Sequence, residues 1–98
     1  MISSTKNEQV KTVIELKKKA KARNEAKLFV VEGVRMVSEL PKERTEKLYV
    51  SESFLNNPEN EKFLKEYPRY EAVTDSVFAA MSDTQTPQGV LALIRQYE

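Results

Sequence analysis

Along this chain the spacing of apolar residues switches between helical, continuous and helical again, and each switch marks an element. From Asn7 to Arg23 the positions Val10, Val13, Ile14, Leu16 and Ala20 recur every three or four residues. At about 100° per residue they share one broad face, which predicts a single amphipathic helix with that face toward a core. Ser3, Ser4 and Thr5 precede it as N-cap candidates, with Asn7-Glu8 following Ser4. The pattern then becomes continuous. Leu28-Phe29-Val30-Val31 reads as a strand covered on both faces. Gly33 permits a tight strand-to-helix turn, and Val34, Val37 and Leu40 resume helical spacing until Pro41 stops it.

The remaining elements follow by the same reasoning. Lys47 to Ser51 is a second strand, Asn56-Asn57-Pro58 a turn, and Pro58 to Tyr67 a short helix with Phe63 and Leu64 inward, ended by Pro68. Tyr70 to Val73 is a third strand, and Thr74 or Asp75 caps a helix through Val77, Phe78 and Met81. A polar turn from Ser82 to Gly89 leads into a last apolar strand, Val90 to Ile94. Strands alternating with short helices predict a three-layer α/β/α sandwich around a small mixed sheet. Leu28–Val31, Leu48–Val50 and Val90–Ile94 belong to that one sheet.

Composition narrows the chemistry. Ninety-eight residues suffice for one domain, and 40% hydrophobic with 32% charged residues suits a globular chain. There is no cysteine and no histidine. Disulfides, thiolate nucleophiles, imidazole bases and the commonest zinc ligands are therefore excluded, and no metal is expected. Gly33 and Gly89 are the only glycines, too few for a phosphate-cradling loop. The segment alone is expected to be non-catalytic. The lack of cysteine fits a reducing cytoplasm, the expected location. No apolar stretch approaches the roughly 20 residues that span a bilayer, and Met1-Ile2-Ser3-Ser4 is not a signal peptide.

The net charge of +1 conceals an asymmetry. Residues 1–27 hold eight Lys/Arg against three acids, and residues 28–98 eight against twelve. One end is basic, and local charge of that kind attracts polyanions. Asn7, Lys11 and Lys18 fall on a stripe adjoining the apolar face. Lys11 and Lys18 are about 10 Å apart along a helix axis, a span of two or so phosphates. The plainer alternative is a solvated lysine face.

Asn7-x-x-Val10-Lys11, Leu16, the basic run ending near Arg23, Phe29-x-Val31-Glu32-Gly33, and Thr86-Pro87-Gln88-Gly89-Val90-Leu91-Ala92 resemble, in order and spacing, the N-terminal substrate-binding domain of SpoU/TrmH-type RNA 2′-O-ribose methyltransferases. The resemblance covers essentially the whole chain. It implies the α/β fold of a ribosomal-protein and kink-turn-binding superfamily, and ribosomal or transfer RNA as partner. It also implies a knotted SPOUT domain after residue 98 that binds S-adenosylmethionine and transfers the methyl group, so no cofactor is expected in residues 1–98. The fragment is expected to be monomeric and its parent a homodimer.

By position, Asn7, Lys11, Arg23, Glu32 and Gly33 match the family's N-terminal motif, and Thr86, Pro87, Gln88 and Gly89 its C-terminal one. Lys11, Lys18 and Arg23 suit phosphates, and Arg23 can also fork onto two oxygens or stack on a base. Asn7 suits a base edge or a 2′-OH, and the Gln88 amide is a further RNA candidate. Glu32 is expected to bond backbone amides at the start of the next helix. Gly33, Pro87 and Gly89 are expected to shape the backbone. Two other readings stay open: a free-standing ribosomal-protein-like RNA binder, and an adaptor whose basic helix meets an acidic partner.

Overall fold

The apolar runs assemble into one four-stranded sheet in the computed structural model, which describes residues 1–96. In chain order the elements are α1 (Glu8–Lys18), α2 (Ala20–Ala26), β1 (Leu28–Glu32), α3 (Val34–Glu39), β2 (Thr45–Ser51), α4 (Glu52–Asn56), α5 (Glu61–Glu66), β3 (Tyr70–Val73), α6 (Asp75–Met81) and β4 (Val90–Arg95). The strands lie in the order β1-β4-β2-β3. β4 runs antiparallel to both β1 and β2, while β2 and β3 are parallel, so the sheet is mixed as expected.

β4 is central, and its sequence shows why. Val90 through Ile94 are all buried, with successive side chains pointing to opposite faces. Leu91 and Leu93 join Val10, Val13 and Leu16 of α1 and Val77, Phe78 and Met81 of α6 in one core. Val90, Ala92 and Ile94 join Val37 of α3, Phe54 of α4 and Tyr67 in the other. A strand covered on both faces needs no polar alternation, which is why the run is continuously apolar. The three-layer α/β/α expectation is met.

Several local expectations are corrected. The helix expected from Asn7 to Arg23 is two helices, broken at Lys19, whose backbone is extended (φ −122°, ψ 117°). Ala20 is consequently exposed rather than in the core. The break turns α2 back against α1 and delivers Leu28 to the sheet. The N-cap is Asn7 rather than Ser3, Ser4 or Thr5: Asn7 Oδ1 accepts from the Gln9 and Val10 amides at 2.8 and 3.4 Å. Ser4 Oγ accepts from the Lys6 amide and shapes the turn before it. Upstream, Ile2 donates its N–H to Ala72 O and accepts from Thr74 N, both at 2.9 Å, so the N-terminal segment covers the outer edge of β3.

Farther along, β2 begins at Thr45 and the helix expected over 58–67 is a 3-10 turn (Pro58–Asn60) followed by α5. Helix α4 is additional to the elements the pattern predicts, because Ser51 reads as a strand end. In fact its buried hydroxyl accepts from the Phe54 amide at 3.1 Å and caps α4. Thr74 caps α6 as expected, accepting from Val77 N at 3.3 Å. The next residue, Asp75, takes the Ser53 amide at 3.0 Å and the Ser53 hydroxyl as well, which ties α4 to α6. Those two donors hold the Asp75 carboxyl below the usual carboxylate range. β4 extends to Arg95, one residue past the expected strand end at Ile94, and residues 97–98 lie outside the described ones.

Two outcomes follow for stability. Gly89 has φ +103°, and a Cβ there would lie 2.4 Å from Ser51 Oγ and 2.9 Å from Phe54 Cβ. Gly89→Ala should therefore cost about 2–4 kcal/mol in a urea titration, and a cost near zero would contradict this packing. Tyr49 is buried under α1 and donates its hydroxyl to Gln9 Oε1 at 2.8 Å. Burial, with the nearby Glu71 charge, pushes its phenol from 10.0 to about 12. Because the folded pKa is the higher one, the unfolded chain ionises first. Stability should hold up to about pH 10 and fall as pH climbs toward 12, which phenolate absorbance and denaturation at each pH will check.

Candidate nucleic-acid interface

The eight basic residues of the first 27 divide into two groups once folded. Lys19 pairs with Glu15 at 2.9 Å and Lys21 with Glu25 at 4.0 Å, both one helical turn apart. Arg23 donates Nη1 to the carbonyls of Leu16 and Lys17 at 2.8 and 3.1 Å. It thus satisfies the open C-terminal end of α1 across the break at Lys19. Lys17 turns inward. Among the described residues, Lys6, Lys11, Lys18 and Lys27 have no ion pair and are exposed. The basic end is real, but about half of its charge is spent on the fold.

Asn7 and Arg23 are accordingly held by structural hydrogen bonds, with Asn7 half-buried at the start of α1 and Arg23 half-buried in α2. Lys11 and Lys18 both lie on α1 as the spacing predicts, with free ammonium groups. Lys11 borders a shallow trough between α1 and α2 that also contains Leu16, Ala22 and Ala26.

At the C-terminal end of α1, Glu32 of the first motif meets the start of the loop that carries the second. The Lys17 ammonium, its side chain only 11% exposed, donates to Met81 O at 2.7 Å and pairs with Glu32 at 3.3 Å and Asp83 at 3.2 Å. Glu32 ends β1, and its other oxygen accepts from the Ser82 hydroxyl and, at 3.1 Å, from the Thr84 hydroxyl. A half-buried carboxylate needs donors, and here a lysine and two hydroxyls supply them. The expectation that Glu32 bonds the amides opening α3 is therefore corrected. That role falls to Gln88, whose Oε1 accepts from Val34 N at 2.9 Å. The swap has a simple cause: β1 points the Glu32 side chain toward α1, while the 82–89 loop lays Gln88 over the turn at Gly33.

Gly33 does have the backbone that requires glycine, φ +99°, and its N–H donates to Val90 O at 3.0 Å. Pro87 is half-buried, Gly89 is buried, and Thr86 and Gln88 are exposed on the loop entering β4. A groove of about 240 Å³ lies between this loop and the start of α3, bordered by Gly33, Met36, Thr84, Thr86 and Gln88. Lys17, Ser82, Thr84 and Met36 were not singled out in the sequence. One lysine in a run of three gives no sign of which is buried, and only the contact with Glu32, fifteen residues away, identifies it.

These features sit in a recognisable protein context. Residues 7–92 match the family model described as the MRM3-like substrate binding domain. Among solved structures, an RNA 2′-O ribose methyltransferase is 27% identical, with TM-score 0.77 over 99% of this chain and 38% of that one. An rRNA methyltransferase from Sinorhizobium meliloti shares the fold at 22% identity, with TM-score 0.76 over 98% of this chain and 36% of that one. The SpoU methyltransferase AviRb from Streptomyces viridochromogenes, in complex with AdoMet, does so at 19%, with TM-score 0.71 over 93% and 34%. No curated protein matches the chain in sequence. The chain spans a little over a third of the length of the solved structures it resembles. With both motifs inside the matched span and joined by the hydrogen bonds from Gly33 N to Val90 O and from Val34 N to Gln88 Oε1, the chain belongs to the MRM3-like substrate-binding domain family.

Proposed function

We propose that this chain is the RNA-holding part of an S-adenosylmethionine-dependent RNA 2′-O-ribose methyltransferase that acts on ribosomal or transfer RNA in the cytoplasm. The observation that carries the reading is the family match over residues 7–92, which contains both motifs. It is supported by a relative of 27% identity named as an RNA 2′-O ribose methyltransferase. The cofactor belongs, in this reading, to protein outside these residues, as do methyl transfer and dimer formation. Two of the solved relatives are described with AdoMet, and the chain corresponds to about a third of each.

Within the chain, the exposed face of α1 makes the contact. Lys11 and Lys18 supply unpaired positive charge that can neutralise phosphates without breaking an existing ion pair. Asn7 and Arg23 contribute by fixing the two ends of α1, which sets where those ammonium groups stand. Nothing in this surface performs chemistry. Its work is electrostatic and positional, and its affinity is modest.

Engaging about three phosphates on loop or single-stranded RNA gives a plot of log K against log salt with a slope of roughly −2. Lys11→Gln with Lys18→Gln should reduce that slope by about one to one and a half units at unchanged stability, since both side chains are exposed. Lys62→Gln with Lys65→Gln, on the acidic part of the chain, is the control and should leave it nearly unchanged. Equal loss from both pairs would mean diffuse charge attraction. No loss from the α1 pair would return that face to solvent.

A further inference from the structure

We propose that the groove between the start of α3 and the 82–89 loop is a second RNA-contacting site, which takes a single unstacked nucleobase. This rests on the RNA reading above but uses different residues and a different force. The first observation is Met36. Apart from the terminal Met1, it is the large hydrophobic residue left exposed among those described, at 54%. A flexible, polarisable thioether on the rim of a groove is a surface on which a flat ring can lie. The groove is about 240 Å³, below the range of drug-sized ligand sites, and matches one ring system rather than an extended ligand.

The second observation is the polar equipment. A backbone N–H can bond only the oxygen of an amide, so the hydrogen bond from Val34 N to Gln88 Oε1 fixes the Gln88 amide's orientation. Its NH2 group is left as an oriented donor with no partner among the described residues. The Thr86 hydroxyl is exposed and likewise without a partner there. An oriented donor and a rotatable hydroxyl beside an apolar rim are what a base presents its edge and face to. The third observation is Gly33 in the groove lining. A Cβ there would come within 3.3 Å of Gln88 Oε1, and the φ of +99° strains any side chain, so the backbone stays bare where a ring would approach.

This site and the α1 face are joined. Lys17 and Glu32 link the end of α1 to the loop that carries Thr86 and Gln88, so RNA phosphates on Lys18 and a base in the groove would be held in fixed relation. The electrostatic face supplies attraction, and the groove demands an unpaired nucleotide.

Fluorescence anisotropy with two labelled RNAs tests the proposal: a hairpin with an unpaired loop, and a fully paired duplex of equal length. Losing a thioether contact to a flat ring typically costs between about two-fold and ten-fold in affinity. Met36→Ala should weaken hairpin binding by about three-fold to ten-fold, leave the salt slope unchanged and leave duplex binding unchanged. Met36→Leu, which keeps an apolar surface, should restore most of the loss. If Met36→Ala stays within two-fold of the parent on the hairpin while Lys11→Gln/Lys18→Gln still weakens it, the groove proposal is overturned and the α1 reading stands. If neither RNA binds the unaltered domain at all, both fall together.

Discussion

A carboxylate whose side chain is 17% exposed, at the end of the half-buried edge strand β1, needs hydrogen-bond donors, and Glu32 meets that demand in a way that organises the molecule. Its partners come from two stretches far apart in the chain: Lys17 at the end of α1, and Ser82 and Thr84 in the loop between α6 and β4. Lys17 in turn accounts for the last carbonyl of α6 by donating to Met81 O. One ion pair therefore fixes the end of the first helix, the exit of the edge strand β1 and the entry to the central strand β4. The turn at Gly33 and the Gln88 cap on α3 are built on that arrangement.

The same interaction divides the basic residues by role. Lys17 is withdrawn from the surface, Arg23 closes the end of α1, and Lys19 and Lys21 are matched by acids one turn away. What faces solvent uncompensated is narrower than the sequence suggests, and it includes Lys11 and Lys18 on one helix. A domain that must hold a polyanion without collapsing onto its own acids gains from this division. Spent charges stabilise the scaffold, and unspent ones remain available at a fixed spacing.

Much of the fold was legible because period follows burial. Continuous apolar runs at 28–31 and 90–94 became the strands covered on both sides, and Val10, Val13 and Leu16 became one face of a core. The break at Lys19 was not legible, since nothing between Lys17 and Lys21 disfavours helix; the return of the chain to the sheet imposes it. Helix α4 was hidden for a similar reason: Ser51 belongs to a strand by pattern and becomes a cap only when Phe54 is pulled into the core. At the site, the paired motifs and the Gly33 backbone could be read from residue types. The exchange of roles between Glu32 and Gln88 could not, because which side chain reaches the α3 amide depends on how a loop fifty residues downstream lies over the turn.

The measurement that bears most directly on this account is a double-mutant cycle on Lys17 and Glu32, with Lys17→Met, Glu32→Gln and both together followed by urea denaturation. Each single change strands a half-buried polar partner and should cost on the order of 2–4 kcal/mol. The double change removes both charges, so its cost should fall short of the sum by at least about 1 kcal/mol. Costs that simply add would show that the two residues act independently, and the Lys17–Glu32 pair would lose its place as the tie between helix, strand and loop.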